Sequence, residues 1–356
     1  MAKELWKGNE AIAEAAIRAG CDCFFGYPIT PQSEVPEYMS LHMPEHGKVF
    51  VQSESELAAI NMVYGAAGTG KRSMTSSSSP GISLKQEGIT YLAGAEVPCV
   101  IVNCMRGGPG LGTIQPAQGD YFQATRGGGN GDYRTPVLAP SNVQEAVDFV
   151  QEAFDIADQY RTPVMVVMDG LIGQMMEPIE WKERKGRDLP EKDWAACGRF
   201  GRGHNNVINS LYIDPEECDH HNEHLTEKYR LIEENEVRCE CVDCEDAELI
   251  ITAYGTPARI ALSAMEALRA AGIKVGLFRP ITLWPFPEAA LHALAGEAHV
   301  KHILDIELSS TGQMLDDVRL AVEGQKPISY LGHAGGVLPT VEEMVEAASA
   351  IMKEVK

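Results

Sequence analysis

Apolar and polar positions alternate along this chain in two rhythms. Short, nearly continuous apolar runs are separated by longer stretches with apolar residues every three or four positions. Residues 9–19 (NEAIAEAAIRA) are Ala-rich and read as a helix, with Gly20 at the position of a C-cap glycine. Residues 21–27 read as a buried strand, 49–52 as a second and 72–75 as a third. Helices over 54–67 and 80–92 fall between and after them, the later one with Pro80 near its start. Residues 97–105 (VPCVIVNCM) are almost wholly apolar, as a parallel strand covered on both faces would be. A helix over 143–158 and a strand over 163–169 (PVMVVMD) continue the series. Strand–helix alternation of this kind predicts a doubly wound α/β domain over residues 1–180.

Residues 181–246 break the rhythm. They begin basic, with Lys182, Arg184, Lys185 and Arg187, and then turn acidic. From Asp214 to Asp246 there are 13 carboxylates against Lys228, Arg230 and Arg238. Apolar periodicity is weak here, which predicts a charged connector running over the surface. From residue 247 the alternation returns. Strands are expected over 249–253, 274–278 and 302–306, and helices over 255–270, 314–322 and 341–352. Residues 247–356 therefore read as a second, smaller α/β domain.

Charge narrows the function classes. Acidic residues exceed basic ones by 51 − 30 = 21. Nucleic acid is not an expected partner, because phosphate binding needs a Lys/Arg surface. With 44% hydrophobic and 23% charged residues, large-scale disorder is excluded. The opening MAKELWKGNE has no apolar core of the secretory kind, and no run approaches the roughly 18 apolar residues that cross a bilayer. No membrane association is expected. The nine cysteines, an odd and scattered set, read as reduced thiols of a cytoplasmic protein.

Several motifs carry candidate chemistry. Gly65 to Lys71 matches G-x-x-x-x-G-K, but Arg72 stands where a P-loop needs Ser or Thr for magnesium. The glycines also close a helix and lead into a strand, the reverse of a P-loop, so a nucleotide-binding subunit is disfavoured. Cys239, Cys241 and Cys244, with Cys218 and His220, His221 and His224 nearby, form an incomplete metal pattern, and no metal ligand is assigned. Gly107 to Gly112 is a Gly-rich loop at the C-terminal end of the 97–105 strand, where open α/β sheets bind ligands. Arg106, just before it, suits bidentate binding of a carboxylate, or else a surface salt bridge. Glu54 and Glu56 fall in the first turn of the 54–67 helix. Glu56 is followed by Leu57, Ala58, Ala59 and Ile60, so an apolar setting that raises its proton affinity is expected.

Read together, three elements are specific. Gly26-Tyr27-Pro28-Ile29-Thr30-Pro31 ends the first strand, Gln52-Ser53-Glu54-Ser55-Glu56 follows the next, and Arg106-Gly107-Gly108-Pro109 follows a later one. In this order they resemble the alpha-type subunit of the thiamine-diphosphate-dependent 2-oxoacid:ferredoxin oxidoreductases, across nearly the whole chain. The resemblance is nearest to the branched-chain branch, which acts on 2-ketoisovalerate (3-methyl-2-oxobutanoate). It implies a pyrimidine-binding domain of the thiamin diphosphate-binding fold, followed by a transketolase C-terminal-like domain. It implies that Glu56 meets the pyrimidine ring of the cofactor and activates it. Tyr27, Pro28 and Ile29 would lie against that ring, and Thr30 and Arg106 would hold the substrate carboxylate. A beta subunit would supply Mg2+, the diphosphate site and [4Fe-4S] clusters. A gamma subunit and a ferredoxin-like delta subunit would complete the assembly, with coenzyme A as acyl acceptor and ferredoxin as electron acceptor. The 110–115 stretch (GLGTIQ) has no cation, which favours an apolar side chain over 2-oxoglutarate, the alternative substrate. A non-catalytic scaffold is the alternative of a different class.

Overall fold

The computed structural model describes residues 3–355. The chain begins β1 (Glu4–Lys7), α1 (Gly8–Arg18), β2 (Cys23–Gly26), α2 (Glu34–Glu45), β3 (Val49–Gln52), α3 (Glu56–Gly68), β4 (Ser73–Ser77), α4 (Ser79–Gly94) and β5 (Cys99–Met105). It continues with α5 (Tyr121–Thr125), β6 (Val137–Leu138), α6 (Val143–Tyr160), β7 (Pro163–Asp169), α7 (Gly170–Gln174) and β8 (Met176–Ile179). Then come α8 (Pro215–Glu236), β9 (Cys239–Val242), β10 (Leu249–Thr252), α9 (Gly255–Ala270), β11 (Val275–Pro280) and β12 (Thr282–Trp284). The last elements are α10 (Glu288–Gly296), β13 (His302–Glu307), α11 (Met314–Val322), β14 (Ile328–Gly332) and α12 (Val341–Glu354).

The first sheet has seven strands in the order β12-β6-β7-β5-β4-β2-β3, parallel except for β12. Its central strand β5 is buried at all seven positions, which explains the unbroken apolar run. Successive side chains point to opposite faces. Val100, Val102 and Cys104 join one core with α1 and α6, while Cys99, Ile101 and Met105 join the other with α3 and α4. The second sheet has five strands in the order β14-β13-β10-β11-β9, with only β9 antiparallel. Two mainly parallel sheets with covering helices make the chain α/β and doubly wound in its first part, as the periodicity implied. Among the described residues no helix is long and apolar enough to cross a membrane.

Residues 215–242 carry more regular structure than the charged surface connector expected there. They form α8, a 22-residue helix, and then β9. Asp214 caps the helix through Glu216 N, and Pro215 stands in its first turn. One face buries Leu225, Tyr229 and Ile232, spaced by four and three residues. The acidic residues on the other face dilute this pattern.

Candidate active site

Parallel strands β2, β3, β4 and β5 all end on one side of the first sheet. Gly26 lies level with Gln52, and Ser77 with Asn103. The chain leaves β2 toward β3 and leaves β4 toward β5 in the opposite direction, so the β2–β4 pair marks a topological switch. Ligands of open α/β sheets bind at such a crevice. Four segments converge there: residues 27–31, 53–56, 77–81 and 106–112.

Glu56 opens α3. Ser55 is the N-cap, its hydroxyl accepting from Ala58 N at 3.1 Å. Glu54, expected in the first turn, lies before the cap and is exposed. Ser53 Oγ sits 3.1 Å from the Gly26 carbonyl and 2.9 Å from that of Ser55, tying the end of β2 to the helix entry. Glu56 is 6% exposed. Gly81 packs directly on its side chain. A Cβ at Gly81 would stand 2.7 Å from Glu56 Oε1 and 2.1 Å from Ser77 Oγ. The Ser77 and Ser78 hydroxyls are buried without a hydrogen-bond partner among the described residues.

Thr30 and Arg106 are brought together. Arg106 Nη1 donates to the Thr30 carbonyl at 2.9 Å, and Nη2 donates to the Leu111 carbonyl at 3.2 Å. The guanidinium therefore spans the loop after β2 and the loop after β5. Its Nε is buried and unpartnered. The surface salt bridge considered for Arg106 does not form among the described residues. Thr30, Tyr27 and Pro28 are exposed and Ile29 is half-buried, so the 27–30 loop faces outward beyond the end of β2, which pairs with β3.

Sequence reasoning missed the groups that hold these residues. Ser79 Oγ donates to Asp120 Oδ2 at 2.5 Å and accepts from Arg106 N at 3.0 Å. Asn103 Nδ2 donates to the same Asp120 oxygen at 2.9 Å. Burial pushes the Asp120 carboxyl above the usual carboxylate range, despite the Ser79 and Asn103 hydrogen bonds that oppose it. Lys85 lies under α3 with no exposed surface. Its signal was present: Ile82, Lys85, Ile89 and Leu92 share one helical face, so a lysine occupies a core position.

A cavity of about 460 Å³ adjoins Thr30, lined by Pro31, Glu34, Ile114, Pro116 and Leu171. Burial works to raise the Glu34 carboxyl, but Lys7, Asn9 and Gln174 outweigh it and hold it below the usual range. A larger cavity of about 610 Å³ lies elsewhere, between α8, β12 and α11. The Gly65–Lys71 stretch closes α3 and leads into β4, and Arg72 is held by Asp155 and Asp158. That order is the reverse of a P-loop. Cys239 and Cys241 lie on edge strand β9, and Cys244 packs its thiol against the Leu277 carbonyl.

Comparison with known proteins bears on the family. The family model described as "Pyruvate flavodoxin/ferredoxin oxidoreductase, thiamine diP-bdg" matches residues 14–239, more than half of the chain. A second, "Pyruvate:ferredoxin oxidoreductase core domain II", matches residues 247–344. The ketoisovalerate oxidoreductase subunit VorB of Methanothermobacter thermautotrophicus is 51% identical over 346 residues, 97% of each chain. The 2-oxoglutarate synthase subunit KorA of the same organism is 36% identical, over 95% of this chain and 96% of its own. Among solved structures, the 2-oxoglutarate:ferredoxin oxidoreductase from Magnetococcus marinus, with 2-oxoglutarate, coenzyme A and succinyl-CoA bound, superposes with a TM-score of 0.86 at 27% identity. The match covers 99% of this chain and 65% of that one. A split-gene transketolase shares the fold, with a TM-score of 0.61 at 16% identity. Family models over both halves and near full-length identity make this chain a member of the thiamine-diphosphate-dependent 2-oxoacid:ferredoxin oxidoreductases, of the alpha-subunit type.

Proposed function

We propose that this chain is the alpha subunit of a cytoplasmic enzyme that oxidatively decarboxylates 2-ketoisovalerate with coenzyme A. The products would be a branched acyl-CoA, carbon dioxide and two reduced ferredoxins. The observation that carries this reading is the convergence of Glu56, Thr30 and Arg106 at one edge of a sheet. The 51% identity to a ketoisovalerate oxidoreductase subunit, against 36% to a 2-oxoglutarate synthase subunit, supports the substrate.

The residues fit the aminopyrimidine end of thiamine diphosphate. The Glu56 carboxyl is packed against Gly81, where a Cβ would collide with it, and the loop after β2 exposes Tyr27 and Pro28. When bound, the cofactor supplies a carbon nucleophile and an electron sink for decarboxylation. Glu56 would hold and exchange a proton at the pyrimidine ring nitrogen. Tyr27, Pro28 and Ile29 would orient that ring. Arg106, through its free Nε, and Thr30, through its hydroxyl, would grip the substrate carboxylate. The apolar Ile114, Leu171 and Pro31 beside Thr30 suit a branched side chain better than a second carboxylate.

A beta subunit would bring Mg2+, the diphosphate site and the [4Fe-4S] clusters, and gamma and delta subunits would complete the complex. The proposed divisions are a cofactor domain over 1–180, a linking segment over 181–246 and a second domain over 247–356. The test is acyl-CoA formation by the anaerobically purified complex on 2-ketoisovalerate and 2-oxoglutarate, beside Glu56→Gln. Faster turnover of 2-ketoisovalerate, cut roughly 100-fold or more in the variant, is expected. Preference for 2-oxoglutarate would overturn the substrate, and an active variant would overturn the role of Glu56.

A further inference from the structure

Helix α4 turns Ile82, Ile89 and Leu92 into the core, and Lys85 stands among them fully buried. Burying an ammonium is unfavourable unless polar groups receive it. Here Nζ donates to the Glu56 carbonyl at 3.3 Å and to Thr75 Oγ1 at 3.1 Å. The first partner is the opening residue of α3, and the second is on the buried strand β4. The charged group that faces Lys85 is the Glu56 side chain on α3, while β4 offers only the Thr75 hydroxyl. The two charges attract without forming a direct ion pair. Burial lowers the Lys85 pKa to about 8, against the opposing pull of Glu56. Methionine would fill the same space without that cost, so packing does not explain a lysine here.

We propose that Lys85 is a positioning residue for Glu56: it pins the first turn of α3 through the Glu56 carbonyl and sets the carboxyl's proton affinity by holding a positive charge near it. This rests on the reading of Glu56 given above. The charged ammonium favours the carboxylate form of Glu56. Losing that charge, by substitution or by deprotonation, favours the carboxylic acid.

The test is calorimetric binding of thiamine diphosphate with magnesium to the assembled complex, in buffers of differing ionisation enthalpy, so that protons taken up on binding are counted against pH. In Lys85→Met the midpoint of that proton linkage should move up by about one pH unit or more, as loss of a nearby opposite charge requires. Thr75→Val, which removes one of the two bonds to the ammonium, should move it the same way by less, and carries the test if Lys85→Met does not assemble. Wild-type linkage in Lys85→Met, or in Thr75→Val where that variant carries the test, would show Lys85 to be a packing residue only and overturn the inference. Glu56→Gln separates the two claims. It should remove the part of the linkage that exceeds the diphosphate's own ionisation, and a profile unchanged from wild type would refute the reading of Glu56 itself, whatever Lys85 does.

Discussion

Arg106 and Thr30, 76 residues apart in sequence, are joined by a 2.9 Å hydrogen bond from guanidinium Nη1 to a backbone carbonyl. With Nη2 on the Leu111 carbonyl, the side chain acts as a brace between two loops before it can act as a ligand. A lysine carries the charge but not the planar fork. Arg106→Lys should therefore lower kcat/KM for the 2-oxoacid by roughly 10- to 200-fold, the loss of one or two charge-assisted hydrogen bonds. Steady-state kinetics of the assembled complex would measure it, and an unchanged kcat/KM would remove Arg106 from the site.

Gly81→Ala tests the cradle around Glu56. The new methyl must displace Glu56 Oε1 or Ser77 Oγ, because it would stand 2.7 and 2.1 Å from them. We expect a cost of about 1–3 kcal/mol in stability, and weakened thiamine diphosphate binding. Thermal unfolding and cofactor titration would report the two effects. A variant that binds the cofactor normally would mean that Glu56 can move without consequence.

Ser79 couples a buried acid to the Arg106 backbone. Ser79→Ala removes the donor to Asp120 Oδ2 and the acceptor of Arg106 N together. Leaving such groups unpaired costs about 1–3 kcal/mol. The measured unfolding free energy should fall by that amount, with KM for the 2-oxoacid rising as Arg106 loosens. A stability within error of wild type would show that water replaces the hydroxyl.

The docking of α8 should depend on pH. Burial works to raise the Glu96 carboxyl, but the Lys228 ammonium, the His224 and Lys228 hydrogen bonds and Arg161 outweigh it, so its pKa lies below the usual value. Lys228 is pushed the other way by its own burial, yet a lowered lysine is still protonated in acid. A depressed carboxylate stabilises above its unfolded pKa, and that contribution is lost as pH falls through the folded one. Protection of the 215–236 amides from hydrogen exchange, taken relative to the intrinsic exchange rate at each pH, should fall on acidification below about pH 4, the ordinary carboxylate range. Glu96→Gln should show the lower protection already at neutral pH.

Strong local signals were legible in the sequence. The buried strand at Cys99–Met105 and the helix at Val143–Tyr160 follow from runs and spacings that few other structures accept. Thr30 and Arg106 were placed together by resemblance, and nothing local in either loop announces their contact. The helix at Pro215–Glu236 was hidden because three buried apolar residues are diluted by ten charged ones. Strand β12 could not have been read at all. It lies among second-half elements but pairs with β6 of the first sheet, a long-range choice that a three-residue segment does not encode.

That strand is one sign of a wider fact, for a single apolar cluster reaches across both sheets. It joins Ile60 and Ile89 to Leu225, Tyr229 and Ile232 of α8, and on to Ile250, Ile303 and Val318. Between the halves runs a stretch whose Phe200, Val207 and Leu211 are largely exposed, an inviting target for a protease. A cut there would sever the backbone without parting the molecule. The nicked protein should migrate as one particle until denaturant is added, and only then come apart as two peptides.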